Sequence, residues 1–375
     1  MNIFKTLGIL FKEDIISNML IGLINESETF RQSFLNNIVG LSNPQAYNIQ
    51  AFPRIVTSKG VPDIVIKGSS DKDNILIIVE NKLKADEGCE QTARYSSEEC
   101  LRDLCKSSKI NLEYETIKTK FIYLTLIPEQ IPTGDKFINK TYKDIVEKVN
   151  VKIEDFSANV LYENFIAALS EFYSNTEIRK EDKLFDLLCE NIEDEKVFIR
   201  FNNLMKILEF NNELQVNFVG KGGGFGRENF IGKISNANWI GDRYIEMKDG
   251  YYNINGSSYD IHIEFSFDTK NRVINLPLHY ETNPHIPKNK LLEHCKEEEY
   301  YKYLRRREKF KSIVHEEIRA LGNPLIKTSS GSNQIASIKI KLENDIKVEN
   351  FLETIQYYCH IISTIVNQTL DLLKS

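Results

Sequence analysis

Two short runs rich in isoleucine and valine, residues 64 to 66 and 75 to 79, flank the polar stretch Gly68-Ser69-Ser70-Asp71-Lys72-Asp73-Asn74. β-Branched side chains suit a pleated surface, and a cluster of glycine, serine, asparagine and aspartate turns the chain. The segment therefore reads as a β-hairpin with a long polar turn. If Lys67 faces Leu76, the index sum is constant along the ladder and Asp63 faces Glu80. Directly opposed side chains have Cβ atoms about 4.5–5.5 Å apart, so two carboxylates meet at one end of the hairpin.

The surrounding pattern says what kind of sheet this hairpin joins. Leu7, Leu10, Phe11, Ile15, Met19, Leu20 and Leu23 recur at steps of three and four, which predicts an amphipathic helix over residues 7 to 24 with Glu13 and Ser17 on one face. A second helical stretch, 30 to 39, ends at Gly40, and Pro53 opens an extended region. Residues 87 to 106 read as helix, 121 to 127 as a buried strand closed by Pro128, and 141 to 149 and 158 to 174 as helices. The order helix, strand, strand, helix, strand, helix is that of an α/β domain with a mixed central sheet, expected over residues 1–178. A helical stretch at 180 to 213 leads into an α+β domain over residues 179–375, with strands near 243 to 247, 260 to 267 and 272 to 279 and helices at 288 to 320 and 347 to 373.

Two like charges held close are costly unless a positive charge lies between them. A hard divalent cation with oxygen ligands, Mg2+ or Mn2+, answers that need. Side chains alternate along a strand, so Glu80 and Lys82 share a face while Asn81 points to the other. An ammonium beside two metal-binding carboxylates can orient or help deprotonate an attacking water and offset charge on a phosphate in the transition state. The set is equipment for metal-assisted phosphodiester hydrolysis.

Pro62-Asp63, a hairpin, then Glu80-Asn81-Lys82 resembles the PD-(D/E)xK nuclease superfamily. In many members a glutamate on the first helix adds a metal contact; Glu13 fits that role, and Asp14 is its rival. Gln91-Thr92-Ala93-Arg94-Tyr95 is similar to the Gln-x-x-x-Tyr helix of the exonuclease-like and defence-associated branches, where Gln91 and Tyr95 would line the substrate side. The strand Phe121-Ile122-Tyr123-Leu124-Thr125 and the helix after Thr141-Tyr142 resemble the elements that complete the bacterial branch. The resemblance spans about residues 7 to 150. It implies a restriction-endonuclease-like core with metal at Asp63, Glu80 and Glu13, and Lys82 acting on water. It also implies double-stranded DNA as substrate, a 5′-phosphate and 3′-hydroxyl as products, and defence against phage or foreign DNA. Pairing of two sites on two strands makes a homodimer the expectation, with the C-terminal domain free to bind substrate or a protein partner. Two other readings use the same residues: an RNA-cleaving, toxin-like nuclease, and an idle nuclease fold serving as an adaptor for nucleic acid or protein.

Charge and cysteine usage narrow the classes further. The net charge of −6 over 375 residues argues against a chain that coats nucleic acid through overall basicity. A local basic stretch exists at Lys302, Arg305, Arg306, Arg307, Lys309 and Lys311, interleaved with Tyr300, Tyr301, Tyr303 and Phe310; it reads as the solvated face of a long helix, with a phosphate-binding face as the alternative. The glycine-rich run 220 to 226 lacks the Gly-Lys-Ser/Thr ending of a nucleotide-binding loop and reads as a mobile connection, with Lys221 and Arg227 along a phosphate backbone as its functional alternative. Six scattered cysteines form no disulfide scaffold, and Cys89, Cys100 and Cys105 lack a fourth ligand for a cluster, so buried free thiols are expected. The six histidines show no HxxxH or HExxH spacing, so no zinc site is assigned. With no stretch near the roughly 18 apolar residues of a membrane helix and no secretory signal at the N-terminus, a cytoplasmic protein is expected.

Overall fold

The computed structural model describes residues 2–83, 87–88, 90–128, 130–188, 194–208, 210, 214–221, 229–239, 241, 245–246, 256–268, 271–283, 286, 288–331 and 333–374. The chain divides into two compact units, residues 1–175 and 176–375. Among the described residues no helix is long and apolar enough to cross a membrane.

The first unit opens with α1 (Ile3–Leu7), α2 (Glu13–Glu26), α3 (Glu28–Asn37), β1 (Asn48–Pro53), β2 (Ile64–Ser69) and β3 (Asn74–Asn81). It continues with α4 (Gln91–Tyr95), α5 (Glu98–Lys106), β4 (Ile117–Thr125), β5 (Ile138–Thr141), α6 (Tyr142–Lys148) and α7 (Phe156–Tyr173). The strands form one sheet in the order β1-β2-β3-β4-β5. Pairing is antiparallel from β1 to β3 and parallel from β3 to β5, a mixed sheet in an α/β fold. The parallel step from β3 to β4 needs a crossover, and α4 and α5 lie on it.

Residues 64 to 66 and 75 to 79 are at most 1% exposed. Both sheet faces are covered here, which is why the runs are continuously apolar instead of alternating. Val65, Leu76 and Ile78 pack with Tyr95, Leu101, Leu104 and Tyr123 on one face; Ile64, Ile66, Ile77 and Val79 alternate to the other. Each such side chain contributes about 1.5–3 kcal/mol on burial. Lys67 pairs with Leu76 and the ladder runs to Ile64 opposite Val79, so one further step sets Asp63 against Glu80. The turn is shorter than the polar stretch suggests, because Gly68, Ser69 and Asn74 belong to the strands. It closes at Ser70, whose Oγ accepts the Asp73 amide and donates to the Asp73 carbonyl.

Three other elements differ from expectation. The helix anticipated from residue 7 begins at Glu13, because Gly8, at φ 63°, caps α1 in the left-handed conformation that glycine adopts freely. The helix anticipated over 87 to 106 is two, α4 and α5, with Ser97 capping the second through the Cys100 amide. Strands β1 and β5 had no counterpart in the sequence reading; β1 is ended by Pro53 and β5 has four residues.

The second unit contains α8 (Leu184–Leu188), α9 (Asp194–Lys206), β6 (Gln215–Lys221), β7 (Asn229–Ser235), β8 (Ile245–Glu246) and β9 (Gly256–Asp268). After these come β10 (Val273–Asn283), α10 (Lys288–His294), α11 (Glu297–Leu321), β11 (Ile326–Thr328), β12 (Gln334–Lys341) and α12 (Val348–Lys374). Its antiparallel sheet runs β11-β12-β10-β9-β7-β6, with β8 also on β9. Ile261, Ile263, Phe265 and Phe267 occupy one face of β9, where Phe265 stacks on Phe201 and Phe267 meets Phe351 of α12. Asp260, His262 and Glu264 alternate to the opposite face. Strands β6, β7, β11 and β12 were not anticipated.

The basic stretch falls in α11, but Tyr300, Tyr303, Arg307 and Phe310 are buried there, with the Arg307 guanidinium donating to the Gly331 carbonyl at 3.1 Å. These four belong to the interior, which removes them from any phosphate-binding face. Cys100, Cys105 and Cys359 are buried free thiols, and Cys295 is buried as well. Cys89, Cys189, Arg227, His285 and residues 222 to 226 of the glycine-rich run lie outside the described residues.

Candidate functional site

The end of the β2–β3 hairpin gathers the acidic and basic residues singled out in the sequence. Asp63 sits one residue before β2, and its Oδ2 accepts the Asn81 amide at 2.9 Å. That bond holds the carboxylate against the last turn of the ladder, beside Glu80. Glu80 lies within β3 with its side chain wholly buried, and its Oε1 is 3.0 Å from Nζ of Lys82. Beyond that ion pair neither Glu80 oxygen completes a well-formed hydrogen bond among the described residues. The Lys82 amide donates to Leu124 of β4 at 2.9 Å, which continues the sheet past Asn81 and turns Lys82 to the Glu80 face.

Glu13 reaches the same end from α2. Its Oε1 accepts the Leu83 amide at 3.0 Å. Asp14, the rival, points elsewhere: its carboxylate is mostly exposed and pairs with Arg54 at 2.6 Å. Both acids stand in the first turn of α2, where the helix dipole favours negative charge; the tertiary contact, not the dipole, separates them.

Protonation reflects this crowding. Burial pushes the Glu80 carboxyl up to about 8, with the neighbouring Asp63 charge adding to the rise and Lys82 only partly offsetting it. Burial also raises Asp63, against the pull of the Asn81 amide and Lys82. For Lys82 burial works against the charged form, but Glu80, Glu13 and Asp63 outweigh it and hold the ammonium above its ordinary value. The cluster carries more negative charge than it can neutralise, and it resolves the excess by keeping a proton on Glu80.

Gln91 and Tyr95 come together on α4, Nε2 of Gln91 donating to the Tyr95 hydroxyl at 3.0 Å. That hydroxyl also accepts the Val61 amide at 3.2 Å, which ties α4 to the segment leading into Pro62-Asp63. Gly60 permits the approach: at φ 131°, any Cβ there would lie 2.8 Å from the Tyr95 ring. Tyr95 is 3% exposed, so it positions the loop that carries Asp63. Burial raises its hydroxyl, and the charge of Glu80 contributes, which places Tyr95 within electrostatic reach of the carboxylates.

A buried network behind the site has no counterpart in the sequence reading. Asn81 points to the face opposite Glu80 and Lys82, as strand alternation requires. There its Nδ2 donates to Ser17 Oγ at 3.0 Å and to the Glu13 carbonyl at 3.3 Å, and its Oδ1 accepts from the Tyr142 hydroxyl at 2.7 Å. Asn81, Ser17 and Tyr142 are each at most 1% exposed. One amide thereby fixes α2, β3 and α6 relative to each other and sets where Glu13 starts. The signal was present in part, since Glu13 and Ser17 fall four apart on one helix face.

Comparison of the chain with family models, with curated proteins and with solved structures returns no match in any of the three.

Proposed function

We propose that the chain is a divalent-metal-dependent nuclease that hydrolyses phosphodiester bonds in DNA. The observation that carries this reading is the convergence of Asp63, Glu80, Lys82 and Glu13 at one end of the hairpin, with Glu80 wholly buried beside a second acid and its oxygens short of partners. The resemblance of Pro62-Asp63 and Glu80-Asn81-Lys82 to the PD-(D/E)xK superfamily supports the same chemistry and a restriction-endonuclease-like core, and it is the basis for double-stranded DNA as substrate and for a defence role in a bacterium.

The residues present fit Mg2+ or Mn2+: hard carboxylate oxygens, an uncompensated negative charge and buried acceptor atoms. Asp63, Glu80 and Glu13 would hold the ion, which would supply Lewis-acid polarisation of the phosphate and a lowered pKa for a bound water. Glu80 must lose its proton to serve as a ligand. Lys82, kept charged by the surrounding acids, would donate to the attacking water and offset charge on the phosphate oxygens in the transition state. Asn81 keeps Asp63 in place through its amide and α2 through its side chain. Tyr95 holds the loop entering the site through the Val61 amide, and Gln91 braces it through the Tyr95 hydroxyl and the Gly88 amide.

The test is purified protein with Mg2+ or Mn2+ on supercoiled and linear DNA, single-stranded DNA and RNA, beside Asp63→Ala and Lys82→Ala. Metal-dependent cleavage of DNA lost in both variants is expected. Cleavage that survives both substitutions sinks the site assignment, and cleavage confined to RNA overturns the substrate.

A further inference from the structure

We propose that the second unit carries a transition-metal site of its own, formed by Asp260 and His262 of β9 and Glu281 of β10. In the antiparallel ladder Glu281 stands opposite Asp260 and His279 opposite His262, so these side chains share one sheet face. Asp260, His262 and Glu281 each offer a ligand atom, and those atoms lie within 4.8 Å of one another. Nδ1 of His262 is 3.5 Å from Asp260 Oδ2, and its Nε2 is 3.8 Å from Glu281 Oε1. Only one ring nitrogen can bind a given ion, and ligands about 2.0–2.2 Å from a tetrahedral ion are roughly 3.4 Å apart, so the imidazole and the carboxylates must turn to draw ligand atoms now within 4.8 Å of one another onto it.

Two further observations point to an ion. Asp260 and His262 are 2% and 4% exposed, yet Asp260 Oδ1 is buried without a hydrogen-bond partner and His262 Nδ1 comes no nearer than 3.5 Å to Asp260 Oδ2, short of a well-formed bond. Unmet buried polar atoms are expensive, and a metal would satisfy both. Negative charge also gathers on this face, where Asp260, Glu264 and Glu281 bring three carboxylates together and Lys233 pairs with the second Asp260 oxygen.

The donor set selects the metal. One imidazole nitrogen with two carboxylates favours Zn2+ and related first-row ions over Mg2+ or Ca2+, whose sites are built from oxygen. Glu281 also lines a cavity of about 150 Å3 with Thr282, Tyr300, Tyr303, Arg307 and Asn333, room for several waters to enter and complete a metal's shell. Spacing rules along the sequence miss such a site, because His262 and Glu281 reach each other only through strand pairing.

The experiment is calorimetric titration of the full chain carrying Asp63→Ala, Glu80→Ala and Glu13→Gln, which removes the three proposed ligands of the first unit, with Zn2+ and separately with Mg2+. One Zn2+ per chain is expected, with Mg2+ at least about a hundredfold weaker. Adding His262→Ala or Glu281→Gln should weaken Zn2+ at least about thirtyfold. Adding Lys233→Met should tighten it roughly tenfold, because a positive charge near the ion is removed; a purely structural Lys233–Asp260 pair would not do this. Absence of Zn2+ binding, or binding indifferent to His262→Ala, Glu281→Gln and Lys233→Met, overturns the proposal. Failure of DNA cleavage leaves it standing, since the titration is made without the first site.

Discussion

Glu80 in the first unit and Asp260 in the second are both buried carboxylates on a central strand, each beside one lysine, yet they end in opposite protonation states. Burial dominates at Glu80 and the nearby Asp63 reinforces it, so the carboxyl rises to about 8. Burial opposes ionisation at Asp260 as well, but His262 and Lys233 together overcome it and hold Asp260 below the ordinary aspartate range. Desolvation alone therefore does not decide the charge state; the count of positive and negative neighbours does. Each carboxylate has a lysine beside it, but at Glu80 the charge of Asp63 works against ionisation, whereas at Asp260 both His262 and Lys233 favour it.

The largest expected effect breaks the comparison at its functional end. Glu80→Ala or Asp63→Ala should lower metal-dependent DNA cleavage on the order of a thousandfold, while His262→Ala changes it less than about twofold, measured as plasmid cleavage rates at saturating Mg2+. Equal losses in the two units would mean that chemistry is not confined to the first. Lys82→Ala should cost about a hundredfold in the same assay, the scale for one group acting on the transition state.

The next effect concerns stability and pH. Glu80 is raised from 4.5 to about 8 on folding, so the folded chain binds a proton across that window that the unfolded chain has released. Its stabilising contribution is complete below about pH 4.5, falls as pH rises through the window, and is gone above about 8, a loss on the order of a few kcal/mol. Urea unfolding of the metal-free protein at pH 5.5 and 8.5 should show it. Glu80→Gln should flatten the difference, and an unchanged slope in that variant would assign the effect to other groups.

Removing the ammonium paired with Asp260 sharpens the comparison further. Lys233→Met should make Asp260 resemble Glu80, its pKa moving upward, with about 2 kcal/mol lost at pH 8 and less at pH 5. That figure is discounted from the usual cost of orphaning a buried charge, because Lys233 keeps 30% exposure. The smallest effect is Tyr142→Phe, which removes the 2.7 Å hydrogen bond to Asn81 and should cost about 1 kcal/mol of stability. It should lower cleavage only through the placement of Glu13, so chemical denaturation and cleavage rates will move together.

The hairpin was legible because its pairing follows from the lengths of the two apolar runs. A register with Lys67 opposite Leu76 pairs the two runs, as the sequence reading assumed, and the structure adopts it, which brings Asp63 to Glu80. Less visible were β1 and β5, short strands whose pairing comes from neighbours and not from a strong pattern of their own. The start of α2 was misjudged because apolar periodicity runs on through Leu7 and Leu10 while Gly8 breaks the backbone. In α11 the composition suggested a basic surface, and packing put Arg307 and three aromatics inside.

Spacing along the chain by itself indicated the mixed α/β order of the first unit, the hairpin and the shared face of Glu80 and Lys82, because strand alternation is a local rule with period two; the register that sets Asp63 against Glu80 came from the pairing. Tertiary structure alone decided that Glu13 and not Asp14 turns to β3, that Asn81 joins α2 to α6, and that Asp260, His262 and Glu281 converge. Those outcomes depend on helix rotation and on contacts between residues far apart in sequence, which no local periodicity encodes.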